Sequence, residues 1–463
     1  MRRDGQTTQS RTSIDELIAA LPPDAVTTQR ATLENYRFDW SRAPGAGTPL
    51  AVVRPADADQ VQAVLRCASA HAVPVVPRGA GSGLSGGSAA VDGGIVLSLE
   101  RMRRIEIDTA ARVAVVEPGA FNADVKAAAA AHGLWYPPDP SSYEICSIGG
   151  NIATNAGGLC CVKYGVTTDY VLGIDVVLAD GTKIVLGGKR IKDVAGLSLL
   201  KLFVGSEGTL GVITSAILRL IPAQPPRSTL VATFPDVQAA ADSVVAIGAT
   251  IRASMMELMD HASINAVEDY RSMGLDRDAG ALLLAQSDAP GAARAAEIAA
   301  MEAACQAGGA LEVFLTDDPD EGELFVAARR AAFPAIEARG SILLEDVGAP
   351  VPKLPELLAG IAAIAARNAV EIPVVAHAGD GNTHPIVVYD PKDPTSRERA
   401  YVAFDEIMHL AITLGGTITG EHGVGRTKKG ALPDQLGPDV MALTRRIKAA
   451  LDPTGILNPG AIL

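Results

Sequence analysis

The sequence is short of the residues that mark several protein classes. Its five cysteines are an odd number without framework spacing, which is typical of thiols in a reducing compartment rather than of a disulfide scaffold. The 40 basic residues are outnumbered by 53 acidic ones, and a formal net charge of −13 argues against a nucleic-acid partner. These shortages favour a cytoplasmic protein that does not bind nucleic acid.

Long apolar runs are missing as well. The start, MRRDGQTTQSRTSIDEL, is polar where a signal peptide requires an apolar stretch. The longest apolar run, LLAGIAAIAA at 357–366, is about half of the ~20 residues that a membrane-spanning helix needs. We therefore expect no transmembrane segment, whereas peripheral contact with the inner membrane stays open.

The chain does contain enough apolar residues, 48%, for a large core, and its 463 residues predict more than one domain. A helical lead-in at 1–47 precedes a mixed region at 48–222, in which RIEIDTAARVAVVEPG and GIDVVLADGTKIVLGG are typical of hairpins. Alanine-rich helices alternate with strands at 223–415, which predicts a second α+β domain with helices on one face of a sheet. The segment 416–463 forms a tail with one helix.

Glycine-rich loops carry the first functional signal. PVVPRGAGSGLSGG contains a literal G-x-G-x-x-G at Gly81, Gly83 and Gly86, but no helical run follows, so the Rossmann interpretation fails. Backbone N–H groups of such a loop can surround phosphate oxygens, with Arg78 adding charge. A plain flexible turn is the alternative, and it costs much backbone entropy. PPDPSSYEICSIGGNIATNAGGLCCVKYG (137–165) and GSEGTLGVIT (205–214) would let a flat ligand approach the backbone.

Two histidines end the turn-rich stretch HAGDGNTH. A hairpin there would bring His377 and His384 roughly opposite each other, and GEHGVG offers Glu421 as a third ligand. Two nitrogens and a carboxylate oxygen suit Zn²⁺, with Mn²⁺, Fe²⁺ or Co²⁺ open. The alternative is a pair of histidines bonded to backbone in a tight turn. The Glu-His pair in GEHGVG favours the metal.

Six motifs in a fixed order resemble those of one family: PRGAGSGLSGG, SIGGNIATNAGG, VGSEGTLGVIT, HAGDGNTH, GEHGVG and DPTGILNPG. The chain resembles FAD-linked D-2-hydroxy-acid dehydrogenases of the vanillyl-alcohol-oxidase type, in the branch of D-lactate dehydrogenases and the FAD subunit of glycolate oxidase. The resemblance implies an α+β fold: a PCMH-type FAD-binding domain of two α+β subdomains, a ferredoxin-like cap, and a C-terminal helical segment that returns to the FAD domain.

The resemblance also implies FAD, with its pyrophosphate along 78–84 and its ring system along 141–158 and 207–213. Ser82 stands where flavin-tethering relatives carry histidine, so we expect non-covalent FAD. The implied contacts are Pro77, Arg78, Gly79, Ala80, Gly81, Ser82, Gly83, Leu84, Pro138, Ser141, Ser147, Ile148, Gly149, Gly150, Asn151, Thr154, Asn155, Gly157, Gly158, Tyr164, Glu207, Gly208, Gly211, Val212, Ile213 and Asn458.

Two further residues are expected to act on the substrate. His422 is the predicted general base, because an imidazole can accept the hydroxyl proton as hydride leaves C2 for flavin N5; a fourth metal ligand or a structural histidine is the alternative. By resemblance, Arg329 holds the substrate carboxylate, and its neighbour Arg330 faces solvent.

Only the resemblance narrows the range of candidate substrates. Relatives that act on D-2-hydroxyglutarate carry lysine and asparagine where this chain has Leu344 and Ile386. A second carboxylate would lack partners there, so D-lactate or glycolate is favoured over larger D-2-hydroxy acids. A non-flavin metal hydrolase or oxygenase and a non-catalytic FAD-binding subunit are the competing functions. The sequence has no cysteine cluster of the kind that binds an iron–sulfur centre, so electrons must pass to a cytochrome, a quinone, an electron-transfer protein, a partner subunit or oxygen. The oligomeric state is left open, with a homodimer as one alternative.

Overall fold

The computed structural model describes residues 12–463, so the first eleven residues of the polar start lie outside the described residues. The described chain divides into two units. The first unit comprises residues 12–156, 166–223 and 421–463, and the second comprises 157–165 and 224–420. Residues 157–165 thus belong to the second unit, although they lie within a stretch that chain order assigns to the FAD-binding region.

The first unit contains two main sheets. Three parallel strands, Ala51–Val53, Ile95–Ser98 and Val75–Arg78, form one sheet with the short antiparallel strand Val26–Thr27 at its edge. The other sheet is antiparallel, in the order Ile105–Asp108, Val113–Val116, Val212–Arg219, Val171–Val177 and Lys183–Gly187. Both predicted hairpins are confirmed as neighbouring pairs in this sheet. A two-stranded ribbon joins Leu134–Trp135 to Ile221–Pro222.

Helices cover these sheets through apolar stripes. Ala58–Ala70 begins after Asp57, whose carboxylate accepts the Gln60 N–H at 2.9 Å. This helix buries Val61, Val64, Leu65 and Ala68, the spacing of one helical face. The other helices of the unit are 12–20, Arg30–Asn35, Asn122–Ala130, Ile148–Thr154, Leu200–Phe203 and Leu432–Leu451, with a 3₁₀ turn at Thr167–Asp169.

One antiparallel sheet organises the second unit. Its strand order is Glu312–Thr316, Ser228–Phe234, Ala281–Ser287, Met255–Asp260, Val374–His377, Asn382–Tyr389 and Ser341–Leu344, with Val347–Gly348 also paired to Asn382–Tyr389. Every residue of Ser228–Phe234 and Ala281–Ser287 is buried, which requires cover on both faces of the sheet. The expectation of helices on one face was therefore wrong.

The helices of this unit are Cys161–Tyr164, Val237–Gly248, His261–Tyr270, Ala292–Ala307, Pro319–Glu337, Leu354–Asn368 and Pro394–Thr413, with a 3₁₀ turn at Val351–Lys353. Pro319–Glu337 begins after Asp318, which accepts the N–H groups of Asp320 and Glu321. Its buried face includes Val326, Arg329 and Ile336, so packing turns one arginine inward. Among residues 12–463, no helix is both long and apolar enough to cross a membrane.

Candidate functional site

The first glycine loop follows the strand Val75–Arg78, and no helix begins directly after it. The prediction that this loop is not a Rossmann motif is therefore confirmed. Residues 79–84 are half-buried except for the exposed Ala80, so the loop has a surface that a ligand can reach. Arg78 itself is only 9% exposed, and its Nη1 donates to the Phe38 carbonyl at 2.8 Å. The guanidinium therefore also holds the loop in shape.

Ser147 joins the first loop to the second glycine-rich segment. Its Oγ accepts the Ala80 N–H at 3.1 Å and the Gly150 N–H at 3.4 Å, the second as the N-cap of helix Ile148–Thr154. The local sequence does not predict this helix, because Gly149 and Gly150 have low helix propensity. The only signal was the capping serine.

Asn458 fastens three segments of the first unit. This buried residue donates from Nδ2 to the carbonyls of Gly87 at 2.8 Å and Glu207 at 2.7 Å. Its Oδ1 accepts from Arg426 Nη2 at 2.9 Å. The first loop, the GSEGTLG segment and the segment after GEHGVG thus meet at one amide. Asn458 was predicted as an FAD contact, and the structure adds this fastening role.

Glu207 organises the GEHGVG segment. Its carboxylate accepts the N–H groups of Val424 at 2.7 Å and Gly425 at 2.8 Å. A Cβ on Gly425 would lie 1.9 Å from the Ser85 carbonyl oxygen, so only glycine allows this approach. Burial raises the pKa of Glu207 to about 7, although the two backbone hydrogen bonds and Arg426 oppose this shift.

Glu421 and His422 stand at the beginning of the same segment. Glu421 Oε1 lies 3.6 Å from His422 Nε2, and the His422 carbonyl accepts from Ser85 Oγ at 3.3 Å. Both side chains remain partly exposed, at 10% and 14%. The predicted third metal ligand and the predicted base are therefore neighbours, on a segment whose backbone Glu207 holds.

The remaining predicted FAD contacts of the first unit lie on loops and near element ends, except Asn151, which lies within the helix Ile148–Thr154. Asn151 accepts from Asn122 at 3.1 Å, and Asn122 also donates to the Pro138 carbonyl. Asn155 adopts a left-handed conformation and accepts the Thr168 N–H at 2.8 Å. Ser141 is exposed, Gly208 and Gly211 precede the strand Val212–Arg219, and Val212 and Ile213 begin it.

Three predicted FAD contacts, Gly157, Gly158 and Tyr164, lie in the second unit. The Tyr164 hydroxyl donates to Asp288, which also pairs with Lys163. Tyr164 is thus held within its own unit, and an FAD contact there stays a prediction.

The stretch HAGDGNTH forms the predicted hairpin. Val374–His377 pairs with Asn382–Tyr389, with His377 opposite Asn382 and His384 opposite Val375. The histidines are therefore diagonal neighbours rather than opposite partners, but they share one face, and their ring centroids are 5.0 Å apart. Both side chains are nearly buried, at 4% and 8% exposed.

A buried carboxylate lies behind each histidine. Glu257 Oε1 is 2.7 Å from His377 Nδ1, and Asp346 Oδ1 is 3.7 Å from His384 Nδ1. Asp346 also accepts from the Thr419 hydroxyl at 2.6 Å and, through its carbonyl, from the Gly420 N–H at 3.0 Å. Imidazoles backed by carboxylates are a donor set that fits a divalent metal ion. Glu421 is the next residue along the chain.

Arg329 meets the second oxygen of Glu257. Its Nε lies 2.9 Å from Glu257 Oε2, and both side chains are buried, at 6% and 0% exposed. Within the described chain, Arg329 Nη2 is buried without a hydrogen-bond partner. Arg329 is among the residues predicted from the sequence, whereas Glu257 and Asp346 are not. The available signal for Glu257 was an acid inside the apolar strand MMELMD.

The positions that separate substrate classes by resemblance face each other. Leu344 and Ile386 are partners in the antiparallel pair of Ser341–Leu344 and Asn382–Tyr389. Ile386 is fully buried, and it lies two residues after His384, on the same face of its strand. Next to His384 along this strand, the neighbouring side chains are therefore aliphatic.

Comparison with known proteins gives the class of this α+β protein, which is that of the FAD-dependent oxidoreductases, and its family. Residues 49–187 match the family model "FAD binding domain", and residues 223–462 match "FAD linked oxidases, C-terminal domain". The second match covers more than half of the chain. The protein belongs to the FAD-linked oxidases.

Two curated relatives match this chain over nearly their whole lengths. The chain is 41% identical to glycolate oxidase subunit GlcD of Bacillus subtilis, over 96% of this chain and 95% of the relative. It is 36% identical to D-lactate dehydrogenase of Archaeoglobus fulgidus, over 97% and 99%. Among solved structures, p-cresol methylhydroxylase has a TM-score of 0.81 at 18% identity, over 98% of this chain and 96% of that one. This last likeness concerns the fold alone.

Proposed function

We propose that the protein oxidises a short D-2-hydroxy acid, such as D-lactate or glycolate, to the 2-oxo acid. The observation that carries this proposal is Arg329, a buried guanidinium whose Nη2 has no partner among the described residues. A buried charged donor without a hydrogen bond costs desolvation free energy, and a substrate carboxylate would supply the missing hydrogen bond. The printed names of the relatives, a glycolate oxidase subunit and a D-lactate dehydrogenase, support the same substrate class.

The apolar pair Leu344 and Ile386 supports a short substrate with one carboxylate. A second carboxylate beside His384 would meet two aliphatic side chains and lose its hydration without a partner. D-2-hydroxyglutarate is therefore the weaker candidate.

A divalent metal, with Zn²⁺ first and Mn²⁺, Fe²⁺ or Co²⁺ as alternatives, would be held by His377, His384 and Glu421. The support is the hairpin that pairs the two imidazoles and the carboxylates behind them. A bound metal supplies a Lewis acid that lowers the pKa of the substrate hydroxyl.

His422 would take the hydroxyl proton, and Arg329 would hold the carboxylate so that C2 presents one face. FAD, held non-covalently by the glycine-rich segments, supplies the two-electron acceptor. Glu207 keeps His422 in place by binding the backbone two and three residues further along. Turnover would also require a separate electron acceptor, such as a quinone, a cytochrome or a partner subunit.

The decisive experiment is anaerobic reduction of the purified yellow protein. We expect D-lactate or glycolate, but not L-lactate, to bleach the flavin absorption band. Treatment with EDTA should slow bleaching, and added Zn²⁺ or Mn²⁺ should restore it. The variant His422→Ala should reduce its flavin about 10²- to 10⁴-fold more slowly, whereas His409→Ala, on the exposed part of helix Pro394–Thr413, should match the parent.

Each result tests one part of the proposal. A yellow protein that no 2-hydroxy acid bleaches would instead be an FAD-binding subunit without this activity. Bleaching that is indifferent to EDTA would remove the metal, and a normal rate in His422→Ala would remove the base. A colourless protein would favour the metal hydrolase or oxygenase.

A further inference from the structure

Glu257 occupies the centre of the second unit. It lies on the strand Met255–Asp260, between the strands Ala281–Ser287 and Val374–His377, and its side chain has no exposed surface. In the register of the sheet, Glu257 is the direct partner of His377. Direct partners in an antiparallel pair project to the same face with Cβ atoms about 5 Å apart. The sheet itself therefore places this carboxylate beside the ring.

The contact with His377 orients the imidazole. Glu257 Oε1 lies 2.7 Å from Nδ1, and a carboxylate oxygen that accepts a hydrogen bond from this nitrogen leaves Nε2 for a ligand. This is the arrangement that a metal-binding histidine needs, since the hydrogen bond at one nitrogen orients the other.

The contact with Arg329 uses the other oxygen. Oε2 lies 2.9 Å from Nε, an ion-pair contact in which neither atom makes a hydrogen bond within the described chain. Nη2 is likewise buried without a hydrogen-bond partner in the described chain, so its N–H groups can serve a ligand. One carboxylate thus contacts both the Arg329 guanidinium and the His377 imidazole.

We propose that Glu257 is a positioning residue that couples the metal ligand His377 to the substrate-carboxylate donor Arg329. The proposal rests on the proposed function, because it assigns Glu257 to the same site. It goes further in making one residue the common support of two binding events. Loss of this carboxylate weakens metal binding and substrate binding together.

Glutamine is the informative substitution because it nearly matches glutamate in shape. Its amide has one oxygen, so it can accept from His377 Nδ1 or from Arg329 Nε, but not from both. Its NH₂ group then faces a donor, and the positive charge of Arg329 loses its counter-charge. Aspartate keeps the charge but is one methylene shorter, which prevents simultaneous contact with both partners.

The experiment compares Glu257→Gln and Glu257→Asp with the parent and with Glu268→Gln. Glu268 is a suitable control because it is also a buried glutamate of the second unit, but it accepts from the backbone N–H groups of Met273 and Leu275. Zn²⁺ affinity is measured without substrate, by competition with a chromophoric chelator. Substrate affinity is measured separately as the D-lactate or glycolate concentration that gives half-maximal anaerobic flavin reduction.

We expect Glu257→Gln to weaken Zn²⁺ binding about 10- to 100-fold, the usual effect of removing the support of a metal-binding histidine. The half-maximal substrate concentration should rise by a similar factor. Glu257→Asp should fall between Glu257→Gln and the parent, and Glu268→Gln should leave both constants unchanged. Parent-like values of either constant in Glu257→Gln overturn the coupling, as does an equal loss in Glu268→Gln.

Failure of the proposed function looks different, because the parent itself would then neither bind Zn²⁺ nor be bleached by 2-hydroxy acids. A measurement on the parent tests the proposal even if the Glu257 variants fail to fold. In ¹⁵N-histidine NMR spectra of the metal-free parent, with His377→Gln for assignment, His377 should carry its proton on Nδ1. A proton on Nε2 alone would contradict the role of Glu257.

Discussion

Glu207 and Glu257 are both buried glutamates near predicted site residues, but they hold different parts of the protein. Glu207, in the first unit, accepts backbone N–H groups of Val424 and Gly425. Glu257, in the second unit, holds the side chains of His377 and Arg329. The first carboxylate therefore shapes a loop, and the second sets the direction of two functional groups.

The difference follows from the surroundings of each acid. GSEGTLG and GEHGVG are rich in glycine, so few side chains are present and the backbone amides become the partners. The strand MMELMD is apolar up to its last residue, and Glu257 in its interior has the side chains of His377 and Arg329 as partners that offset its burial. A site made of backbone is sensitive to loop conformation, whereas a site made of side chains is sensitive to single charges. Three variants, two single and one double, test this contrast.

The largest effect is expected for Arg329→Lys. Lysine keeps the charge, but it is a point donor that cannot bind Glu257 and a substrate carboxylate with two edges. We expect kcat/KM for D-lactate or glycolate to fall about 10²-fold, mainly through KM, because a lysine that pairs with Glu257 leaves the substrate carboxylate without its charged partner, which costs about 2–5 kcal/mol. Steady-state kinetics with an artificial electron acceptor measures this change.

The matched control is Arg330→Lys, the next residue on the same helix. Arg330 pairs with Glu323, whose side chain is 47% exposed, at 3.0 Å, and such pairs contribute about 0–1 kcal/mol. Its kcat/KM should match the parent. Equal losses in the two variants would mean that the helix, and not the donor edge of Arg329, is responsible.

The next effect concerns Glu207 and pH. Its pKa is raised from 4.5 to about 7, so the folded protein binds this proton more tightly than the unfolded chain does. The stability that this proton contributes is complete below 4.5 and is lost as the pH rises through about 7. Glutamine does not titrate, so Glu207→Gln provides the reference.

We expect the free energy of unfolding of the parent, minus that of Glu207→Gln, to decrease over this window by about 3 kcal/mol, since the shift of about 2.5 units is worth about 1.4 kcal/mol per unit. Denaturant titrations of both proteins at several pH values measure it. A difference that does not vary with pH, or that grows as the pH rises, would contradict the raised pKa of Glu207.

Much of the fold could be predicted from local pattern. The two hairpins of the first unit and the hairpin of HAGDGNTH depend on neighbouring residues, strand alternation and turn chemistry, and all three are present. The helix Ile148–Thr154 was not predicted, because its glycines have low helix propensity. Packing in the folded protein outweighs this local preference. The diagonal placement of His377 and His384 required the register, which the turn alone does not give.

The motifs of the candidate site could be predicted from the sequence, but the residues that hold its side chains in position could not. Glu257 lies 120 residues from His377 in the chain, and only the pairing of their strands brings them together. Arg329 reaches the same place from a helix. No periodicity or spacing within one segment encodes such a contact, because it depends on the order of strands in the sheet.

The smallest effect is expected from a change of substrate preference at Leu344 and Ile386. These residues are partners across two strands, beside His384. The double variant Leu344→Lys with Ile386→Asn would place a cation and an amide where the parent has two aliphatic side chains. We expect the ratio of kcat/KM for D-2-hydroxyglutarate to that for D-lactate to rise about 10-fold, since one hydrogen bond to a charged group contributes about 1.5–3 kcal/mol and part is lost to imperfect geometry. Val388→Asn, two residues further along the same strand, is the control, because it adds an amide without the cation. If the control raises the ratio equally, or the double variant leaves it unchanged, side-chain charge at this position does not select the substrate, and the contrast between the two units loses its clearest functional consequence.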